Sequence, residues 1–225
     1  MYFDILYEDN HLIVVNKKSG VLVQDDNTGD PSLLFLLKTY LKNTYNKKGN
    51  VFLGLVHRID RPVSGIVIFA KTSKALRRLN QYLKFREIKK KYLAIVCGAV
   101  NKNSQKLENW ILKKTKQNKS YVYIKKVDRS KKAILNYKVL HSYKNYTLLE
   151  IDLETGRHHQ IRAQLAYIGF PIKGDLKYGA PRSNKNKAID LHSKSIEFIH
   201  PTKKNVIKLI AENPKGVLWN ASPSC

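Results

Sequence analysis

The sequence predicts an α+β protein, with a mixed, mostly antiparallel central sheet flanked by helices and loops. Short charge-free runs rich in β-branched and aromatic residues recur along the chain, as in Leu12-Ile13-Val14-Val15 and Ile66-Val67-Ile68-Phe69-Ala70. Helical apolar stripes are few by comparison, and strands and helices do not alternate as regular βαβ units would. A length of 225 residues with 43% apolar content supplies one sizeable core.

The elements follow in order. Ile5-Leu6-Tyr7-Glu8-Asp9, Leu12 to Lys17 and Val21-Leu22-Val23 predict three short strands, with Asp9-Asn10 and Ser19-Gly20 as turns. Ser32 to Asn43 predicts a helix with Leu33, Leu36, Leu37 and Leu41 on one face. Asp30-Pro31 there fits a cap followed by proline at the first helical position. Val51 to Val56 and Ile66 to Ala70 predict buried strands, and Thr72-Ser73 caps a helix from Lys74 to Phe85 with Leu76, Leu79 and Leu83 as its stripe. Lys91 to Gly98 reads as a strand and turn. Leu107 to Leu140 is β-rich, with turns at Lys113-Lys114-Thr115-Lys116, Lys125-Lys126 and Lys131-Lys132. Tyr146 to Glu154 predicts another strand. Thr155-Gly156 turns it into a helix from Arg157 to Ile168, closed by Gly169. Late strands are predicted at Ala188–Ser193, Ser195–Ile199 and Asn205–Leu209. No repeat, low-complexity linker or domain boundary appears, so residues 1–225 read as a single domain.

The formal net charge is +25, which points to a polyanion such as RNA or DNA as partner. Lysine dominates, with 33 Lys against 9 Arg, and such a bias also arises from base composition. Tyr121 and Tyr123 alternate within the lysine-rich region. That pattern suits an RNA-gripping hairpin and suits a solvated hairpin equally well. Cys97 and Cys225 form neither a disulfide framework nor a metal spacing, which points to a reducing compartment. No apolar run could span a bilayer, and the N-terminus carries no basic apolar leader, so a cytoplasmic address is expected.

The most informative stretch is His57-Arg58-Ile59-Asp60-Arg61-Pro62-Val63-Ser64-Gly65. It sets one carboxylate between two guanidiniums at the mouth of a sheet. A carboxylate placed there must be paired and hydrogen-bonded. On Asp and Arg alone, a structural ion pair is the simpler account; a catalytic carboxylate kept ionised by cations is the sharper one.

That stretch resembles the H-R-L-D-x-x-T-S-G motif of the RluA family of RNA pseudouridine synthases. Other stretches match in the family's order. Ile5 to Gly20 resembles its opening strands and K-P-x-G turn, and Lys91-Tyr92-Leu93-Ala94-Ile95-Val96-Cys97-Gly98 its K-x-Y-x-A-x-V-x-G strand. Thr155-Gly156-Arg157-His158-His159-Gln160-Ile161-Arg162 resembles T-G-R-x-H-Q-I-R. Pro171 to Asp175 with Tyr178-Gly179 resembles P-I-x-G-D-x-x-Y-G, and Leu191-His192-Ser193 and His200-Pro201 resemble its closing elements. Lys18 stands where proline is usual, Ile59 for leucine, Val63 for threonine and Gln164 for histidine. Val63 removes a hydroxyl that could support the Asp60 turn.

The resemblance implies the pseudouridine synthase fold and isomerisation of uridines in ribosomal or transfer RNA, with no cofactor, no metal and no obligatory protein partner. The chain starts only four residues before its first matching strand, so a stand-alone catalytic domain without the small N-terminal S4-like RNA-binding domain of some relatives is expected. By resemblance Asp60 is the catalytic carboxylate, attacking the base or acting on the sugar, and Arg162 pairs with it. Tyr92 packs on the flipped base, and Arg58 enters the stack the uridine has left. His57, Arg157 and Gln160 complete the substrate-binding set, His57 as a hydrogen-bonding support for the Asp60 turn. Arg157 suits a phosphate or a turn cap equally. His158 and His159 are adjacent, so on a helix they would point to different sides and make no metal site. Asp175 reads as ordering backbone amides in its Gly-Asp turn. Two other functions are weighed: an RNA-binding protein without catalysis, and a hydrolase of nucleic acid, for which no water-activating pair or metal cluster is found.

Overall fold

The structure, a computed structural model, describes residues 2–26 and 28–220. Cys225 lies outside the described residues. The chain folds as two compact units, Met1–Ile88 with Ser195–Ala211, and Lys89–Lys194 with Glu212–Cys225. The class is α+β, and each strand pairing described below is antiparallel.

In the first unit, β1 (Phe3–Glu8) pairs with β2 (Leu12–Lys17), and β2 with β4 (Ser64–Ala70). Every residue of β2 is buried, as are Gly65–Ala70 of β4, which is why Leu12–Val15 and Ile66–Ala70 read as unbroken apolar runs. Their register sets Leu12 opposite Ala70 and Lys17 opposite Gly65. Leu12, Val14, Ile66 and Ile68 share a core with Ala75 and Leu79 of α2 (Ser73–Lys84), and with Ile196 and Phe198 of β10 (Leu191–Ile199). A buried leucine such as Leu79 contributes about 2–5 kcal/mol against truncation to alanine. Thr72 caps α2 by accepting from the Ala75 amide. Its buried residues are Ala75 and Leu79, with Leu76 and Leu83 half-buried at the edge of the core.

Three expectations change here. The cap of α1 (Leu33–Thr44) is Ser32, whose hydroxyl accepts from the Phe35 amide, rather than Asp30. Val21-Leu22-Val23 is no strand: the Leu22 and Val23 carbonyls accept from the Leu33 and Leu34 amides and so satisfy the helix start. Of Val51 to Val56, only Gly54–Leu55 (β3) pairs with β4. A Cβ on Gly54 would lie 2.6 Å from the Leu76 side chain, so α2 approaches β3 at the one residue without a side chain.

In the second unit the strand order is β5-β9-β8-β6-β7, formed by β5 (Lys89–Cys97), β6 (Ser104–Lys114), β7 (Lys119–Tyr123), β8 (Lys131–Ser142) and β9 (Tyr146–Leu153). Lys131-Lys132 therefore opens a strand rather than a turn. Leu93, Ile95, Leu148 and Trp219 form one of its cores. The helix α3 spans Gln160–Tyr167, three residues later than expected, because His159 holds φ +52° and breaks the helical path. Its first six residues are all buried. The two late strands predicted at 188–193 and 195–199 are the single strand β10, followed by β11 (Val206–Ile210). Leu191–Lys194 of β10 belongs to the second unit and Ser195–Ile199 to the first. Among the described residues no helix is long and apolar enough to cross a membrane.

Candidate active site

Asp60 sits half-buried between β3 and β4, in a tight turn closed by the Val63 amide donating to the Asp60 carbonyl at 3.0 Å. Val63 is 2% exposed, so the position that carries threonine in the resembled motif serves here as core packing. The flanking arginines are tied to the segment after β2. Arg61 donates from Nε to the Gly20 carbonyl (3.0 Å) and from Nη2 to Asp30 (2.6 Å). Exposed Arg58 reaches Gln24 at 3.3 Å. His57 accepts a hydrogen bond at Nε2 from the Ile68 amide (3.3 Å) and anchors the turn to β4. With Nε2 as acceptor, a neutral ring carries its proton on Nδ1.

In the second unit, Tyr92 lies in β5 opposite Ile151, 6% exposed. Arg162 lies in the first turn of α3 and makes a two-pronged pair with Asp175: Nε to Oδ2 at 2.7 Å and Nη2 to Oδ1 at 2.9 Å. The side chains are only 6% and 1% exposed. A fork-to-carboxylate pair of this kind fixes the guanidinium plane as well as its charge. The Tyr178 ring lies 5.1 Å from the guanidinium carbon. Its hydroxyl meets His159 Nδ1 (2.9 Å) and accepts from the Ser120 amide (2.8 Å), and burial pushes the phenol's pKa up.

The turn before α3 is organised by Gln160. Its Oε1 accepts from the Thr155 hydroxyl (2.8 Å) and the Arg157 amide (3.0 Å), and its Nε2 donates to the Ile134 carbonyl (3.1 Å). At 3% exposure, the amide is spent inside the protein, an organising role where substrate contact was expected. Arg157 precedes the helix and donates through Nε to the Lys132 carbonyl (2.9 Å). The His158 and His159 rings do not diverge but stack, with centroids 3.7 Å apart, since both lie in the turn. Among the described residues, no three His, Cys, Asp or Glu side chains gather as a metal would require.

Asp175 takes up the Arg162 guanidinium, where the sequence reads it as ordering backbone amides. Spacing gives no sign of this, because thirteen residues and the turn after α3 separate Asp175 from Arg162.

The lysine-rich segment forms a basic aromatic face. Trp110 stands opposite Tyr123, and Leu112 opposite Tyr121, on β6 and β7. Lys114 lies 4.9 Å from the Tyr121 ring centroid, and Lys126 lies 5.8 Å from that of Trp110.

Comparison with known proteins bears on the same residues. The family model described as RNA pseudouridylate synthase matches residues 11–167, a stretch containing Asp60, Tyr92 and Arg162. The chain is 37% identical over 219 residues to ribosomal large subunit pseudouridine synthase C of Buchnera aphidicola subsp. Baizongia pistaciae, covering 92% of this chain and 66% of that one. It is 38% identical over 217 residues to ribosomal large subunit pseudouridine synthase D of Borreliella burgdorferi, covering 94% and 65%. Against the uncharacterized RNA pseudouridine synthase YlyB of Bacillus subtilis the identity is 33% over 220 residues, covering 96% and 71%. The chain thus spans about two thirds of the length of these curated relatives. The solved structure of human RNA pseudouridylate synthase domain containing 4 matches with a TM-score of 0.79 at 22% identity, covering 94% of this chain and 88% of that one. Human RNA pseudouridylate synthase domain containing 1 matches at 0.72 and 20%, covering 94% and 84%. These two likenesses concern the fold alone. With most of its length matched by the family model, and with relatives this similar, the chain belongs to the RNA pseudouridylate synthase family, in the RluA branch its motifs resemble.

Proposed function

We propose that this chain isomerises uridine to pseudouridine in a structured RNA, with ribosomal RNA as the first substrate class to test and transfer RNA the second. The observation that carries the reading is that the family match, residues 11–167, takes in the Asp60 turn, Tyr92 and Arg162 together. The names of the relatives favour ribosomal RNA. The reaction breaks the C1′–N1 bond, turns the base and forms a C1′–C5 bond. The C5 hydrogen is lost as a proton while N1 gains one, so electrons balance without redox chemistry. Asp60 supplies the carboxylate that attacks the base or acts on the sugar. Arg162, oriented by its fork to Asp175, is the cation that the resemblance assigns to the reaction. Tyr92 offers a ring face and a polar tip to the everted base. Arg58 fills the vacated stack, and Arg157 meets backbone phosphate. His57 and Gln160 hold the turns that carry Asp60 and Arg157.

The basic aromatic face of β6 and β7 is proposed as a grip on the RNA, since lysines meet phosphates and rings stack on exposed bases. We propose a cytoplasmic address on the strength of the ribosomal relatives, and a catalytic domain that needs no cofactor. The test is nucleoside analysis of ribosomal and transfer RNA transcripts after incubation with the purified protein and with Asp60→Asn. Pseudouridine appearing only with the intact carboxylate supports the reading; free uracil or cut strands point to a hydrolase instead.

A further inference from the structure

Among the described residues of the first unit, one of the large, fully buried side chains is a lysine. Lys17 ends β2 with 0% exposure. Burying a cation there is unfavourable unless every donor finds a partner. An ammonium has three donors, and Lys17 Nζ has three carbonyls: Val21 at 2.8 Å, Lys18 at 2.9 Å and Arg61 at 3.2 Å. Two of these lie just after β2. The third belongs to the residue that follows Asp60. Strand register explains the meeting, because Lys17 stands opposite Gly65 where the Asp60 turn enters β4. The Arg61 carbonyl also accepts from the Gly20 amide at 2.8 Å, so it is the point where the two segments are pinned. The Arg61–Asp30 pair ties the same segments, but its side chains are 44% and 50% exposed, and such pairs hold weakly.

We propose that Lys17 is a positioning residue for Asp60: its ammonium pins the Arg61 carbonyl to the segment after β2 and so fixes the turn that presents the Asp60 carboxylate. This rests on the reading that Asp60 carries the chemistry. A neutral amine has only two donors, and the Arg61 carbonyl, the most distant of the three, is the tie first given up. Loss of the proton would therefore loosen the Asp60 turn and also remove a positive charge near it. Burial pulls the Lys17 pKa down to about 7, with Asp60 pulling it up and Arg61 pulling it down. The latch is thus poised to open within the neutral range.

The experiment is single-turnover pseudouridine formation from pH 6.5 to 8.5 with the native protein, Lys17→Met and Lys17→Arg. Amide hydrogen exchange at Gly20 and Val63 is followed in parallel. The native rate constant is expected to fall at least fivefold across that range. Lys17→Met should lose at least tenfold in rate with KM for RNA unchanged within twofold, and should lose protection at both amides. Lys17→Arg, which keeps its charge throughout, should recover part of the rate and show a flat profile. A flat native profile overturns the inference even if neither variant folds. So does a folded Lys17→Met with native rate, with a defect in KM alone, or with native amide protection. If the native protein forms no pseudouridine while Lys17→Met still loses amide protection, the functional reading fails and the latch stands.

Discussion

Removing the Asp175 carboxylate tests whether Arg162 is held as the geometry indicates. Asp175→Asn deletes the charge but keeps the volume and one acceptor oxygen. The pair makes two charge-assisted hydrogen bonds, at 2.7 and 2.9 Å. At about 1.5–3 kcal/mol each, together they bring about 3–6 kcal/mol, in line with the roughly 3–5 kcal/mol for breaking a buried pair. Since asparagine retains one acceptor, the expected loss is about 3 kcal/mol. For a chain of this size that lowers the melting temperature by about 6–12 °C. Both tryptophans, Trp110 and Trp219, lie in the second unit, so urea unfolding followed by tryptophan fluorescence reports on the unit that holds the pair. The double variant Arg162→Met with Asp175→Leu should be more stable than either single variant, because no charge is left buried alone. A loss under about 1 kcal/mol for Asp175→Asn, or simple additivity in the cycle, would refute the argument.

Two further outcomes follow from named groups. Burial holds His192 neutral, with its pKa down to about 4 against an ordinary 6.5. The unfolded chain therefore takes up the proton first as pH falls, and stability drains away between about 6.5 and 4. At pH 5 the loss relative to neutrality is about 2 kcal/mol, from 1.5 pH units at 1.36 kcal/mol each. His192→Gln should lose that much less between pH 7 and 5 in urea unfolding; an equal loss would show that His192 carries none of it. On the basic face, replacing Lys114 and Lys126 together by glutamine should weaken RNA binding and flatten the slope of log K against log salt by roughly 1.5. An unchanged slope would leave the hairpin as a solvated surface.

How much was legible depended on how local the cause was. β2, β4 and β5 are readable because each carries an apolar run, Leu12–Val15, Ile66–Ala70 and Tyr92–Val96, that is buried throughout. Val51 to Val56 carries the same composition, yet Val51, Leu53 and Val56 are buried without being strand, since burial does not require a ladder partner. Leu22 and Val23 look like strand, but their carbonyls are spent on the start of α1, a long-range event with no local mark. The start of α3 was misplaced because the left-handed backbone at His159 is not signalled by its residue type. β10 was split at Ser193-Lys194-Ser195 because its two ends serve different cores, so no single period runs through it. In the candidate site, motif positions placed Asp60, Tyr92 and Arg162. The partner of Arg162 was harder to see, because spacing gives no hint that residue 175 returns to residue 162. Lys17 reads in sequence as the polar end of a strand, and only the strand register reveals what it holds.

The proposed reaction depends on one carboxylate, Asp60. Its most direct test is tritium release from RNA labelled at uridine C5, run under single-turnover conditions with the native protein and Asp60→Asn. One tritium should be released per uridine converted by the native protein, and the rate in the variant should be lower by roughly 10²–10⁴-fold or more. Release by Asp60→Asn at the native rate, from protein shown to be folded, would contradict it.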